Sequence, residues 1–182
     1  MKWNNKFSYP KSMRSMVSGS RMYAVNQEKL PSVTSILQAT QSEEKKASLA
    51  NWRARVGAAE ANRIKNKLSE IWGTEATLYY PGKYAGTCDA VGVYEGQETI
   101  IDFKQSNKPK REEFVDEYYH QLGAYSLAHN VVYNSNITQG IVLLCTVDNL
   151  FQDFRIQGEK LEEYQNKFLE KVEQYYHQRN MN

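Results

Sequence analysis

The sequence is poor in cysteine and histidine, with two and three residues respectively. Cys88 and Cys145 lie far apart with no C-x-x-C or related spacing, which argues against a zinc site. No apolar run is long enough to span a bilayer, and neither G-x-G-x-x-G nor G-x-x-x-x-G-K-[ST] occurs, which argues against a nucleotide-binding enzyme. We therefore expect one domain with reduced, buried cysteines and with neither a membrane span nor a small-molecule cofactor.

Positive charge is concentrated in two regions of a chain whose formal net charge is only +2, so any nucleic-acid surface must be local. Residues 1–27 contain no acidic side chain. We interpret residues 1–30 as a basic arm that contacts phosphates, and a mitochondrial transit peptide is the alternative.

The second basic region belongs to a part predicted to be helical, residues 31–72. A helix opening at Ser32 and a longer one opening at Ser42 are predicted there. Its basic side chains are the best candidates for tracking a DNA backbone, and its tryptophan could stack on bases. The alternatives are a solvated face and a core aromatic. The candidates are Trp52, Arg53, Arg55, Arg63 and Lys65.

The stretch 84–104 predicts two β-strands joined by a tight turn. Tyr84–Tyr94 is the first strand, Glu95-Gly96 the turn and Glu98–Lys104 the second strand.

Two carboxylates and a lysine can converge on one face of this hairpin. Asp102 and Lys104 are two residues apart and share a face, and Asp89 comes from the neighbouring strand. Carboxylates suit Mg²⁺, which polarises a phosphoryl oxygen, and a nearby lysine stabilises phosphoryl charge. The alternative is an ordinary Asp–Lys pair on a surface hairpin, because D-x-K alone is frequent.

A resemblance to a nuclease family favours the catalytic interpretation. Beyond Lys104, a helix is predicted over Arg111–Asn130, and Gln121 and Tyr125 share a face of it. The order G-x-x-D, D-x-K, Q-x-x-x-Y resembles the RecB-type branch of the PD-(D/E)XK nucleases. The segments LPSVTSIL and YAGTCDAVGVYEG resemble more closely the phage exonucleases similar to the mitochondrial genome maintenance exonuclease, over about residues 9–176.

The resemblance implies a role for each matching residue. Asp89 and Asp102 would be ligands of Mg²⁺ or Mn²⁺, and Lys104 would be the catalytic lysine. Gln121 and Tyr125 would form the helix pair that braces the site and approaches DNA.

Two further ligands are expected from the same resemblance. Glu75 matches the acidic position upstream of the G-x-x-D strand, with a solvated strand carboxylate as the alternative, and the backbone carbonyl of Phe103 is the other candidate. The G-T-x-x-H motif usual in RecB-type exonucleases is absent, and it would fall near Lys65–Lys67. The few dozen residues that usually lie there are lost from this protein, were removed by design, or form a disordered stretch absent from the printed sequence. The last explanation is our hypothesis, and an intact mass equal to 21.1 kDa would rule it out.

The expected fold is α/β, a central mixed β-sheet flanked by helices with a restriction-endonuclease-like PD-(D/E)XK core. Gly140–Val147 is a continuous apolar run, typical of a strand buried on both faces, which predicts helices on both faces of the sheet. Gln152–Ile156 is predicted as an edge strand and Glu159–Arg179 as an amphipathic helix. We expect one domain, 1–182, with the catalytic sheet and helix in 73–158 and the last helix in 159–182.

The expected activity is metal-dependent hydrolysis of DNA phosphodiesters, and the resemblance implies that it acts from free ends and preferably on single strands. The resemblance implies a monomeric phage protein in the bacterial cytoplasm, with a mitochondrial protein as the alternative. Two other functions stay open. One is a PD-(D/E)XK endonuclease, and the other is a DNA-binding module without catalysis, favoured by the absent histidine motif.

Overall fold

The structure is a computed structural model, and it describes residues 2–38, 64, 66–148 and 150–180. The proposed DNA-binding residues of the second basic region, from Trp52 to Lys65, lie outside the described residues, so their role stays a prediction.

Strands dominate the described part of the chain. The strands are β1 (Lys2–Trp3), β2 (Met13–Val17), β3 (Ser20–Val25), β4 (Glu28–Pro31), β5 (Leu68–Tyr80), β6 (Tyr84–Tyr94), β7 (Gln97–Ser106), β8 (Gln139–Thr146) and β9 (Phe151–Gln157). The helices are α1 (Val33–Gln38), α2 (Asp116–Tyr133) and α3 (Glu159–Asn180), and a 3₁₀ turn (Glu112–Phe114) precedes α2.

Six strands form the central sheet, in the order β1-β5-β6-β7-β8-β9. The pairs β1–β5 and β7–β8 are parallel, and the other pairs are antiparallel. This confirms the predicted α/β fold with a mixed central sheet flanked by helices, and it places β9 at an edge as expected. Strands β2, β3 and β4 form a separate antiparallel sheet.

The predicted hairpin is present. Its turn residues Glu95 and Gly96 have φ of 48° and 78°. Two successive positive φ values define the turn that matches the twist of paired strands, and glycine adopts such a φ without strain. The second strand extends two residues beyond the predicted end at Lys104, to Ser106.

Apolar side chains cover both faces of the sheet. In β8 all eight residues are buried, and alternate residues enter different clusters. Val142 and Leu144 join the cluster that also contains residues of α1, α2 and α3, whereas Ile141 and Leu143 join a second cluster on the other face. The strand is therefore buried on both faces, as predicted. The described helices pack on the first face, and helices on the second face stay a prediction.

Helix α3 confirms the predicted amphipathic helix. The five residues of its apolar stripe are all buried and pack against the sheet or α2. They are Leu161, Tyr164, Phe168, Val172 and Tyr175. Helix α1 begins after Ser32, whose Oγ accepts a hydrogen bond from the amide of Ser35 at 2.9 Å, as expected of an N-cap.

Strand β5 is longer than predicted and corrects the boundary of the predicted helical part, 31–72. It begins at Leu68 rather than Glu75. Leu68, Ile71 and Trp72 stand at helical spacing because register shifts at 68/70 and 71/73 interrupt the alternation of the strand. A bulged strand thus has the hydrophobic pattern of a helix in this segment.

Residues 1–30 were interpreted as a basic arm, and their strands were not predicted. Strand β2 has five exposed residues and so no buried alternation. The only local signals are the turns at Ser18-Gly19 and Asn26-Gln27, where all four residues have positive φ.

Both cysteines are buried and neither forms a disulfide, in agreement with the sequence. Among the helices of the described residues, none is long and apolar enough to cross a membrane.

Candidate active site

Strands β6 and β7 separate at two aspartates. Their ladder runs from Tyr94–Gln97 to Ala90–Ile101, so the next register position sets Asp89 opposite Asp102. Residues before Asp89 pair with β5, and residues from Asp102 onward pair with β8. Opposed residues of antiparallel strands lie on the same face. The two carboxylates, called the carboxylate pair below, therefore meet where the sheet forks.

A hydrogen bond between a backbone amide and a side chain links the two strands at the fork. The amide of Phe103 donates a hydrogen bond of 2.7 Å to Oδ2 of Asp89. This bond joins β6 to β7 beyond the end of their ladder, and it fixes the orientation of the Asp89 carboxyl.

Burial and like charge both act on the carboxylate pair. Asp102 is 4% exposed and Asp89 is half-buried. Burial, followed by the neighbouring charge of Asp102, raises the pKa of Asp89 from 3.8 to about 8; the Phe103 amide and the Lys104 charge act in the opposite direction. Ionising both carboxyl groups costs free energy because they are buried and close together. The pair therefore favours binding a proton or a cation.

Lys104 connects the carboxylate pair to α2. Its Nζ lies 2.8 Å from Oδ2 of Asp102 and donates to Oε1 of Gln121, also at 2.8 Å. The same ammonium lies 5.0 Å from the ring centroid of Tyr118. The lysine side chain is only 11% exposed. These contacts hold the ammonium at one place beside the carboxylates.

Tyr125 packs one turn beyond Gln121 and explains the glycine of the G-x-x-D motif. A Cβ on Gly86 would lie 2.7 Å from Cε1 of Tyr125 and 3.1 Å from Cγ2 of Val33. Tyr125 is 1% exposed, and burial followed by the charge of Asp102 raises its pKa. The structure therefore places Gln121 in contact with Lys104 and Tyr125 against Gly86. Their roles in bracing the site and approaching DNA stay predictions.

Glu75 is not brought into contact with the carboxylate pair. It stands across β5–β6 from Asp89, between the register pairs of Thr74 and Ala76, but it is exposed and its φ is 48°. Its role as a ligand stays a prediction, as does that of the Phe103 carbonyl.

The carboxylate pair fits a divalent cation. Both side chains offer hard oxygen donors, and a cation between them would relieve the repulsion that raises the pKa of Asp89. In the described parts of the chain, no three His, Cys, Asp or Glu side chains form a group that could hold a metal. Mg²⁺ is compatible with this small donor set because it keeps several waters and needs only one or two carboxylates.

His120 faces away from the site. Its Nδ1 lies 2.8 Å from the carbonyl oxygen of Asp116, and its ring packs edge-to-face on Tyr164 of α3 at 5.1 Å. His120 lies about 100° round the helix from Gln121 and therefore does not replace the absent histidine motif.

Two residues near the site, Tyr118 and Lys110, were not assigned to it from the sequence. Lys110 Nζ lies 5.6 Å from the Tyr118 ring centroid, the ring that Lys104 also approaches. The lysines that follow D-x-K, Lys108 and Lys110, were the signal in the sequence. Their positions depend on how the segment between β7 and α2 folds, which the sequence pattern does not predict.

Comparison with solved structures finds distant similarities of fold. The chain is similar to the crystal structure of an alkaline exonuclease (LHK-Exo) from Laribacter hongkongensis, at 15% identity over 82% of this chain and 80% of that one, with a TM-score of 0.41. The structure of LHK-Exo in complex with dAMP gives 15% identity, the same coverage and a TM-score of 0.40. No family model matches the chain, and no curated protein matches it. At these values a likeness does not transfer a function, and the proposal that follows depends on the site.

Proposed function

We propose that this chain is a metal-dependent nuclease that hydrolyses phosphodiester bonds of DNA at the carboxylate pair. The observation that carries the proposal is the contact of Lys104 with both Asp102 and Gln121, beside the opposed Asp89. A carboxylate pair alone could be structural. A lysine held beside it by a buried amide is suited to a substrate whose reacting group is negatively charged.

Lys104 would stabilise charge on the phosphoryl group. An ammonium has three N–H donors. Two contacts are made to Asp102 and Gln121, which leaves one donor for a phosphate oxygen. Because Gln121 fixes the ammonium in advance, little reorganisation is needed when a phosphate arrives.

Asp89 and Asp102 would hold the metal ion. Mg²⁺ or Mn²⁺ bound there would supply a polarised phosphoryl oxygen and a more acidic water. The chain's own contribution is to orient both carboxyl groups. The Phe103 amide does this for Asp89 at 2.7 Å and Lys104 does it for Asp102 at 2.8 Å, and both contacts favour the ionised form against the burial that opposes it.

The preference for free ends and for single-stranded DNA rests on the motif order in the sequence and on its resemblance to RecB-type exonucleases. The motif residues Asp89, Asp102, Lys104 and Gln121 lie together at the fork, which supports hydrolysis at one site, and the preference for ends and single strands comes from the resemblance alone.

Cleavage of end-labelled linear single-stranded DNA beside a circular strand of similar sequence tests this function. Loss of the linear strand alone, in Mg²⁺ or Mn²⁺ and not in EDTA, is expected. Cutting of the circle would indicate an endonuclease instead. Binding of both strands without cutting would indicate a DNA-binding module, the function that the absent histidine motif favours.

A further inference from the structure

Two lysines approach one aromatic ring beside the candidate active site. Nζ of Lys104 lies 5.0 Å and Nζ of Lys110 lies 5.6 Å from the ring centroid of Tyr118. The two ammonium groups are thus no farther apart than the sum of these distances. Tyr118 is itself 7% exposed, so its ring is a fixed support rather than a mobile side chain.

The backbone of Lys110 is held by one side chain of the edge strand β9. Its amide donates to Oε1 of Gln152 at 2.8 Å, and its carbonyl accepts from Nε2 of Gln152 at 2.9 Å. The side-chain amide of Gln152 thus binds both the backbone N–H and the backbone C=O of Lys110, as a neighbouring β-strand would. Lys110 is therefore fixed in a segment whose neighbours at 107–109 and 111 are exposed.

The segment around Lys110 is also positively charged. Lys108 and Arg111 are exposed on either side of it, and Nη1 of Arg111 lies 3.7 Å from Oε1 of Glu113. Because the whole chain carries a net charge of only +2, these three cations, of which Arg111 is paired with an acid, form a local cluster next to the site. Polyanions are attracted to such a cluster, and an ammonium group binds phosphate as a point charge.

We infer that Lys110, held by Gln152, binds a backbone phosphate adjacent to the one that reacts at Lys104. This inference rests on the proposed function. It places the DNA strand that extends away from the site along the segment between β7 and α2. Lys110 is then a binding residue that does not touch the reacting phosphoryl group, and Gln152 is a positioning residue.

Binding of a fluorescent single-stranded oligonucleotide in EDTA, measured across a range of salt concentrations, tests this assignment. Lys110→Met removes the charge and keeps an apolar stem over Tyr118. We expect affinity to fall about tenfold and the slope of log K against log salt to decrease by about 0.7, the value for one phosphate contact on a single strand. Gln152→Ala keeps the charge, so it should weaken binding with a smaller change in slope.

Lys160→Met is the matched control. Lys160 lies 5.1 Å from the Tyr119 ring centroid and 3.1 Å from Oε1 of Glu112, so it is also a lysine over a tyrosine next to α2. Its removal should leave affinity and slope unchanged. Melting temperatures of all variants establish that each is folded.

The outcomes separate this inference from the proposed function. If the wild-type chain binds and cuts DNA and Lys110→Met binds with unchanged affinity and slope, Lys110 contacts no phosphate and the inference is wrong. If Lys110→Met and Lys160→Met weaken binding equally, the loss reflects the lower net charge of the protein and not a contact of Lys110. That result also overturns the inference. A wild-type chain that neither binds nor cuts DNA overturns both.

Discussion

Asp89 and Asp102 occupy the first register position beyond the last paired residues of β6 and β7. The two strands part at this position, and each then pairs only with its other neighbour. The sheet thereby holds two like charges side by side in a buried place. Such an arrangement lowers stability unless the pair shares a proton or a cation, and several expected results follow from that requirement.

The contribution of Asp89 to the stability of the metal-free protein should fall as the pH rises from about 4 to about 8. Burial and the charge of Asp102 raise the pKa of Asp89 from 3.8 to about 8, so the folded state binds more protons than the unfolded state in this window. The contribution is fully present below the unfolded pKa and is lost as the pH passes the folded pKa.

Urea unfolding in EDTA at pH 5 to 9 measures this dependence. Asp89→Asn keeps an acceptor for the Phe103 amide and has no titrating group, so the difference between wild type and variant isolates the pair. Equal pH slopes for the two proteins would show that the pair does not titrate in this window.

A divalent cation should stabilise the folded protein at pH 8. Binding to the folded state alone raises stability by about 2.7 kcal/mol at a concentration of one hundred times Kd. Thermal unfolding with Mg²⁺ or Mn²⁺ should therefore shift upward by several degrees, and Asp102→Asn should remove the shift. Asp153→Asn, at an exposed carboxylate 3.6 Å from Arg155, is the control that should keep it.

Gln121→Met should slow cleavage without unfolding the protein. Methionine has similar length but cannot accept the hydrogen bond from Lys104, so the ammonium loses one of its two polar anchors. We expect a loss of about 10- to 100-fold in rate, the effect of a small misplacement of a catalytic group. Rate and melting temperature are measured together.

Gln165→Met, which removes a hydrogen bond of 2.9 Å to Ser126 on the far side of α2, should leave the rate unchanged. A drop of many degrees in the melting temperature of Gln121→Met, with the rate of the folded fraction preserved, would make Gln121 structural.

Gly86→Ala should destabilise the fold by about 1–3 kcal/mol, the usual cost of forcing a methyl group into a packed core. The added Cβ would meet Tyr125 at 2.7 Å and Val33 at 3.1 Å. Adding Tyr125→Leu makes room, so the double variant should be less destabilised than the sum of the single changes in urea unfolding. If the changes in the free energy of unfolding are additive, positions 86 and 125 are not in steric conflict in the Gly86→Ala variant.

The hairpin and its site residues could be predicted because each depends on local rules. Two positive-φ positions at Glu95-Gly96 set the register, and alternation along β7 then places Asp102 and Lys104 together, with Ile101 and Phe103 in the opposite cluster.

The fork itself could not be predicted from local rules. Pairing of β6 with β7 ends at Ala90–Ile101, whereas β7 continues in parallel with β8 from Thr99 to Ser106, and β8 follows only after a long connection in sequence. The contact of Lys110 with Gln152 likewise joins segments 42 residues apart. The start of β5 was missed for a different reason, since its bulges give Leu68 and Ile71 a helical spacing.

The most direct test of the account is cleavage of linear single-stranded DNA by wild type and Lys104→Met in Mn²⁺, with binding of the same strand measured in EDTA. Lys104 contacts both Asp102 and Gln121, so it links the carboxylate pair to α2. We predict a loss of at least about 100-fold in cleavage rate, the size expected when a group that stabilises developing charge is removed, with binding retained. A rate near that of wild type would remove Lys104 from the mechanism and contradict a nuclease centre at the fork.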